Sequence, residues 1–168
     1  MLIRAAEPED AMAVAQVHVR SWQVAYRTLL PDDYLDGLRP EDRAQMYDFA
    51  STDPAKPKTM VAEEGGLILG FATTMPSRDA SLPEHGELCA LYADPEYWGR
   101  GIGVALIAAA REQLQSQGFA KALLWVLAGN VRAERFYRTD KWMPDGMSRT
   151  DTVWNAMVNE IRYLRDLD

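Results

Sequence analysis

Two spacings of apolar residues alternate along the chain, and they predict both strands and helices. Leu2 to Ala5 is a short run that predicts a strand. From Pro8 to about Tyr26 apolar residues recur at helical spacing, and a proline suits the first turn of such a helix. The apolar positions cover more than one side of this helix. We therefore expect it to be largely buried or to line a pocket.

Shorter signals follow this first helix. Pro31 and Pro40 each stand at the start of a segment with acidic residues in its first turn, which predicts two further helix starts. Residues 59–64 and 67–75 read as strands on either side of Gly65-Gly66. A glycine pair between two strand-like runs is typical of a β-hairpin.

A strand–helix–strand unit is predicted in the middle of the chain. A strand at 87–93 stops at Asp94-Pro95, and a helix at 101–117 precedes Gly118. The continuous apolar run at 122–127 is typical of a strand buried on both faces. The remaining elements are one helix and two strands, predicted at 130–139, 142–147 and 152–164. This order predicts an α/β (α+β) fold in one domain over residues 1–168.

Composition narrows the class of protein. The chain is 48% hydrophobic and 26% charged, as in soluble globular proteins, and its net charge of −7 disfavours nonspecific binding to nucleic acid or anionic membranes. The N-terminal residues do not resemble a signal peptide, and no apolar run approaches membrane-spanning length, so we expect a cytoplasmic protein. With one cysteine, Cys89, and two histidines, we expect no disulfide and no metal site.

A glycine-rich turn lies between the central strand and helix. Glycines at 99, 101 and 103 let backbone N–H groups converge on an anion, and the helix N-terminus adds a partial positive charge. A Walker loop requires Lys where Val104 stands, and a dinucleotide fingerprint requires Gly where Leu106 stands. The glycines alone leave two interpretations open, namely a phosphate cradle and a loop without a ligand.

Two motifs resemble those of the GCN5-related N-acetyltransferase (GNAT) superfamily. Residues 98–103 are similar to the acetyl-CoA motif of that family, which reads Gln or Arg, two variable residues, Gly, one variable residue, then Gly or Ala. Residues 130–137 resemble its second signature, an Asn followed by a short helix ending in Tyr. Trp98 and Lys141 depart from the family, which has Gln or Arg at the first position and usually Gly at the second.

The resemblance implies a fold and an activity. The fold would be a mixed, mostly antiparallel sheet of about six to seven strands flanked by helices. The activity would be transfer of an acetyl group from acetyl-CoA to a primary amine on a small molecule, a polyamine or a protein, by direct attack on the thioester. A noncatalytic acyl-CoA-binding or regulatory module is the alternative. The resemblance leaves the oligomeric state open between a monomer and a homodimer, because members of this family often dimerise.

The resemblance also implies roles for individual residues. Tyr137 would be the general acid for the departing thiolate, and Glu87 the base that takes the proton of the amine. The implied acetyl-CoA-binding residues are Leu91, Tyr92, Ala93, Gly99, Arg100, Gly101, Ile102, Gly103, Val104 and Asn130. The implied acceptor-binding residues are His18, Ser21, Trp22 and Tyr26, for which burial in the core is an equally open interpretation. The indoles of Trp125, Trp142 and Trp154 are expected in the core.

Overall fold

A computed structural model describes all 168 residues and shows one seven-stranded sheet in the order β1-β2-β3-β4-β5-β7-β6. The strands are β1 (Leu2–Ala5), β2 (Lys58–Glu64), β3 (Leu67–Pro76), β4 (Gly86–Ala93), β5 (Lys121–Leu127), β6 (Met143–Val153) and β7 (Ala156–Asp166). The helices are α1 (Ala11–Ala25), α2 (Asp32–Asp36), α3 (Pro40–Ala44), α4 (Ile102–Ser116) and α5 (Val131–Thr139). The predicted fold class, a mostly antiparallel mixed sheet flanked by helices, is confirmed.

The only parallel pair in the sheet is β4 with β5. Helix α4 connects them, which is the crossover that two neighbouring parallel strands require. All other neighbouring strands are antiparallel. The predicted strand–helix–strand unit therefore lies at the centre of the sheet, where β5 has neighbours on both sides.

Helices cover both faces of the sheet. On one face α1 packs Val14 and Val17 against Val61 and Phe71, all at most 1% exposed. On the other face α4 and α5 contribute to the largest core cluster, in which Leu106 of α4 is fully buried. The two faces of the central strands are thus both apolar, which explains the continuous hydrophobic run of β5.

The predicted boundaries of the last two strands are wrong. The structure has a hairpin turn at Trp154-Asn155, inside the strand that was predicted at 152–164. Both turn residues have positive φ, 49° for Trp154 and 63° for Asn155. Hairpin turns with this backbone usually carry Asn-Gly or Asp-Gly, so the sequence lacked the usual signal. The expectation for Trp142 is correct, because it is a core residue only 1% exposed.

Gly70 of β3 lies where α4 packs tightly against the sheet. A methyl group at this position would lie 2.8 Å from the Tyr92 carbonyl oxygen and 2.9 Å from the Ile102 side chain. We expect Gly70→Ala to lower the free energy of unfolding by about 1–3 kcal/mol, because the overpacked strand or helix must shift. Urea denaturation measures this change. Gly37→Ala is the control, since Gly37 has φ −83° and its nearest neighbour would be 3.3 Å away. Equal losses in the two variants would contradict the packing argument.

Candidate active site

Strands β4 and β5 pair over only three residues and then diverge. Their pairing joins Gly86–Leu88 to Ala122–Leu124, although β4 continues to Ala93 and β5 to Leu127. Beyond this short pairing, the edge of β4 that faces β5 and the edge of β5 that faces β4 have no strand partner. Unpaired main-chain groups at such an edge can bind an extended ligand by main-chain hydrogen bonds. Leu91, Tyr92 and Ala93, three of the predicted cofactor residues, lie on this divergent half of β4.

The glycine-rich turn follows directly from the divergent end of β4. Gly99 and Gly101 have φ of 81° and 79°, a backbone that side chains disfavour, and no atom lies within 4 Å of the position of an added Cβ at either residue. Gly101 is the N-cap of α4, and no side chain caps the helix. The N–H groups of its first turn, which includes Ile102, Gly103 and Val104, are therefore available to an anion.

Two residues of the turn have a packing role. Ile102 is 2% exposed, so only its backbone can face a ligand. A Cβ at Gly103 would lie 3.3 Å from the Phe136 ring, so this glycine permits close packing of α4 against α5. The side chain of Val104, in contrast, is exposed to solvent.

Two arginines lie near the turn, and only one of them has a carboxylate partner. Arg100, one of the predicted acetyl-CoA-binding residues, forms an ion pair with Glu64 at 2.8 Å. The Arg132 guanidinium lies 3.6 Å from the centre of the Trp98 ring, and it has no carboxylate partner. Burial lowers the pKa of Arg132 from its usual value. No local pattern could have linked Arg132 to Trp98, because helix packing brings them together.

Helix α5 positions the two residues of the second motif. The Asn130 side-chain oxygen accepts a hydrogen bond from the Ala133 N–H at 3.2 Å and caps this helix. Tyr137 packs among aromatic side chains, with ring centres 6.4 Å from Trp142 and 6.5 Å from Tyr163. Burial raises the pKa of the Tyr137 phenol, and the nearby Tyr92 adds to this effect. Tyr137 therefore carries its proton at neutral pH.

A cavity of about 440 Å³ opens on the α1 face of the divergent strands. None of its lining residues belongs to α4 or α5, so it lies across the sheet from the glycine turn. Three of the four predicted acceptor residues, His18, Trp22 and Tyr26, line this cavity. Ser21 does not, because its hydroxyl donates to the Val17 carbonyl at 2.6 Å and also approaches the Ala93 carbonyl at 3.2 Å.

Aromatic side chains form much of the cavity wall. His18 stacks on Tyr92 with a centroid distance of 4.9 Å and lies 5.0 Å from the Trp154 ring. Burial, with a contribution from the positive charge of Arg43, lowers the pKa of His18 well below its usual value, so this histidine is neutral. Trp125 and Trp154, which were expected in the core, are half-buried and line the cavity, and Trp154 also packs against a core cluster.

Two buried carboxylates face the cavity, and their partners differ. The predicted base, Glu87, accepts hydrogen bonds from the backbone N–H, Nε and Nη2 of Arg78 at 2.9, 3.4 and 2.6 Å. Glu160 of β7, which the sequence did not indicate, accepts one from Arg149 Nε at 3.1 Å. Burial raises the pKa of Glu160 above its usual value, and Arg149 opposes part of this rise.

Cys89 also lines the cavity, but it lacks the properties of a nucleophile. Burial raises the pKa of its thiol to about 12, so almost no thiolate forms at neutral pH. No group of three or more His, Cys, Asp or Glu side chains is arranged to hold a metal ion. None of the helices has the length and apolar character needed to cross a membrane.

Known proteins resemble this chain over most of its length. The model of the acetyltransferase (GNAT) family matches residues 19–140. The Bacillus subtilis protein named Uncharacterized N-acetyltransferase YuaI is 34% identical over 76% of this chain and 72% of its own length. A Mycobacterium tuberculosis protein named a probable N-acetyltransferase is 30% identical over 88% of this chain and 83% of its own length.

A solved structure has the same fold. The structure of yncA from Salmonella typhimurium with its cofactor acetyl-CoA has a TM-score of 0.74 and 16% identity, and the match covers 100% of this chain and 94% of that one. The family match spans most of the chain, and the Bacillus subtilis and Mycobacterium tuberculosis relatives are both named N-acetyltransferases. The chain therefore belongs to the acetyltransferase (GNAT) family and is an N-acetyltransferase.

Proposed function

We propose that this protein, acting as one domain over residues 1–168, transfers an acetyl group from acetyl-CoA to a primary amine. The observation that carries the proposal is the divergence of β4 and β5. It connects an anion cradle on one face of the sheet to an aromatic cavity on the other. A thioester lying in the divergence meets both sites, as direct transfer between two substrates requires.

The cofactor side uses mainly backbone groups. The N–H groups from Gly99 to Val104 bind the pyrophosphate of acetyl-CoA. The free edge of β4 from Leu91 to Ala93 binds the extended pantetheine arm by main-chain hydrogen bonds. Asn130 contributes indirectly, because its cap fixes the start of α5 and thereby places Tyr137.

The acceptor side prepares the nucleophile. A free alkylamine has a pKa of about 10.4, so it must lose a proton before its nitrogen can attack. We assign this proton to Glu160, whose raised pKa makes it a stronger proton acceptor than an ordinary carboxylate, with the predicted Glu87 as the alternative. The oxygens of Glu87 are already bound by Arg78, which leaves it fewer free lone pairs.

The transfer balances with the groups present. The amine nitrogen forms a bond to the acetyl carbon, and the charge that develops on the carbonyl oxygen is stabilised by backbone N–H groups of the β4 edge. The carbon–sulfur bond then breaks and the thiolate takes a proton from Tyr137. The nitrogen, which still carries one surplus proton after the attack, gives it to the Tyr137 phenolate, and Glu160 releases the first proton to solvent. The products are an amide and free CoA.

The test is direct detection of an acetylated product by mass spectrometry. The purified protein is mixed with acetyl-CoA and a panel of polyamines, amino acids, aminoglycosides and lysine peptides, with heat-denatured protein as the blank. We expect one class of acceptor to give a product 42 Da heavier than the acceptor itself, because an acetyl group replaces one hydrogen. Acetyl-CoA binding without any product would contradict this proposal and favour the noncatalytic module.

Arg132 is expected to strengthen acetyl-CoA binding. Trp98 holds its guanidinium beside the glycine turn, and a charge-assisted hydrogen bond to phosphate is worth about 1.5–3 kcal/mol. We expect Arg132→Ala to raise the KM for acetyl-CoA about tenfold, the equivalent of about 1.4 kcal/mol, with kcat nearly unchanged. Steady-state kinetics at two salt concentrations measures both values. Arg135→Ala, on the same helix, should leave KM unchanged, and an equal rise in both variants would contradict a specific phosphate contact.

A further inference from the structure

The basic side chains of the cavity differ in whether they have acidic partners. Four of them line it, and three form ion pairs, which are Lys56 with Asp48, Arg78 with Glu87, and Arg149 with Asp151 and Glu160. Arg43 of α3 has no carboxylate partner. Arg149, in contrast, is shared between two carboxylates, Asp151 and Glu160. The wall therefore carries one unpaired positive charge at Arg43 and surplus negative charge around Arg149.

The Arg43 side chain packs against two aromatic rings, but its Nε has no hydrogen-bond acceptor. Its guanidinium lies 5.5 Å from the centre of the Tyr47 ring and 5.3 Å from that of Trp154. Its Nε is buried and has no hydrogen-bond partner. A buried donor without an acceptor is costly, and a guanidinium pairs best with a carboxylate through two parallel hydrogen bonds.

The groups around Arg43 leave this role to a ligand. The side chains nearest it are aromatic, and the neighbouring His18 is neutral. The Tyr47 hydroxyl lies 3.1 Å from His18 Nδ1, and burial raises its pKa while the nearby Arg43 lowers it, but a neutral hydroxyl does not balance the charge of a guanidinium. Tyr47 and Trp154 also present flat apolar surfaces, which suit a hydrophobic group next to an anion.

We propose that the acetyl acceptor is an amino acid whose carboxylate binds Arg43 and whose amine faces Glu160. A zwitterion of this kind places its negative group at the unpaired arginine and its ammonium at the surplus carboxylates. Its hydrophobic side chain lies among the aromatic residues of the wall. The cavity of about 440 Å³ is within the range of small-molecule sites. This inference rests on the proposed acetyltransferase function.

The test compares acceptors that differ only in the carboxylate. The pairs are L-phenylalanine with phenethylamine, L-tryptophan with tryptamine, L-tyrosine with tyramine, and L-leucine with isopentylamine, and the other standard L-amino acids complete the panel. We expect the wild-type protein to acetylate at least one amino acid with a kcat/KM at least tenfold above that of its decarboxylated partner.

Variants of Arg43 identify the group responsible. Arg43→Gln should raise the KM for the preferred amino acid at least tenfold, with little change for the matched amine, and Arg43→Lys should recover part of the loss. Arg39→Gln is the control, because Arg39 precedes α3 and is exposed outside the cavity. Wild-type preference for the amines, or equal effects of Arg43→Gln on both members of a pair, would overturn the inference.

A binding measurement separates this inference from the proposed function. If neither this panel nor the polyamines, aminoglycosides and lysine peptides yield product, the acetyltransferase proposal fails. Calorimetric titration of the CoA-saturated protein with the same amino acids then decides the role of Arg43. Binding that is lost in Arg43→Gln but kept in Arg39→Gln would support a carboxylate site. Absence of binding by every amino acid would overturn it.

Discussion

Replacing Tyr137 with phenylalanine is expected to lower kcat by a factor of about 10² to 10⁴, the range of general acid catalysis. The Tyr137 phenol keeps its proton because burial raises its pKa. Tyr92, on the divergent part of β4, is close enough to raise this pKa further. Phenylalanine keeps the ring that packs against Trp142 and Tyr163 but has no proton to give to the thiolate. The affinity for acetyl-CoA should therefore change little.

Steady-state kinetics and acetyl-CoA titration of the same protein sample separate the two effects. Tyr163→Phe is a matched control, because its ring centre lies 6.5 Å from that of Tyr137 and its hydroxyl donates to Glu134 at 2.6 Å. This control should lose some stability and keep its kcat. A Tyr137→Phe protein with unchanged kcat would rule out Tyr137 as the acid.

Replacing Glu160 with glutamine is expected to lower kcat/KM at neutral pH by about 10²-fold, since the amine loses its main proton acceptor. Glutamine keeps an oxygen that can accept the hydrogen bond from Arg149, so the β6–β7 contact is retained. The thermal midpoint should change little. Kinetics with the preferred acceptor, together with a melting curve, measures both effects.

The pH dependence tests this assignment. Burial raises the pKa of Glu160 from its ordinary 4.5, Arg149 and Arg78 lower it, and Asp151 raises it. Because only the ionised form accepts a proton, wild-type kcat/KM should fall as the pH drops through this raised pKa. Glu160→Gln should lose that acidic limb. If Glu87→Gln loses it instead, and Glu160→Gln keeps it, Glu87 is the base that the motif resemblance implied.

Most elements of the fold could be predicted from local patterns. Helix starts at Pro31 and Pro40, the Gly65-Gly66 hairpin and the apolar strand at 122–127 each depend on neighbours close in sequence, so their signals are readable there. The turn at Trp154-Asn155 was missed because its left-handed backbone is imposed by the surrounding hairpin. Its residues are not the usual ones for such a turn.

The features of the site also separate into those that depend on local sequence and those that depend on packing. The glycines at 99 and 101 and the Asn130 cap depend on local backbone geometry, so the sequence alone was enough to predict them, and it also indicated the family. The apolar positions on more than one side of α1 predicted that it is largely buried or lines a pocket, and in the structure it does both.

The pairing and burial of the charged side chains in the site follow from tertiary packing. Arg100 pairs with Glu64, Arg132 stacks on Trp98, and Glu160 becomes a buried carboxylate, each through a contact between distant segments. The unpaired state of Arg43 is likewise a property of the whole cavity wall. Coulombic and desolvation energies depend on which side chains meet in space. The order of residues along the chain does not specify those encounters, and packing does.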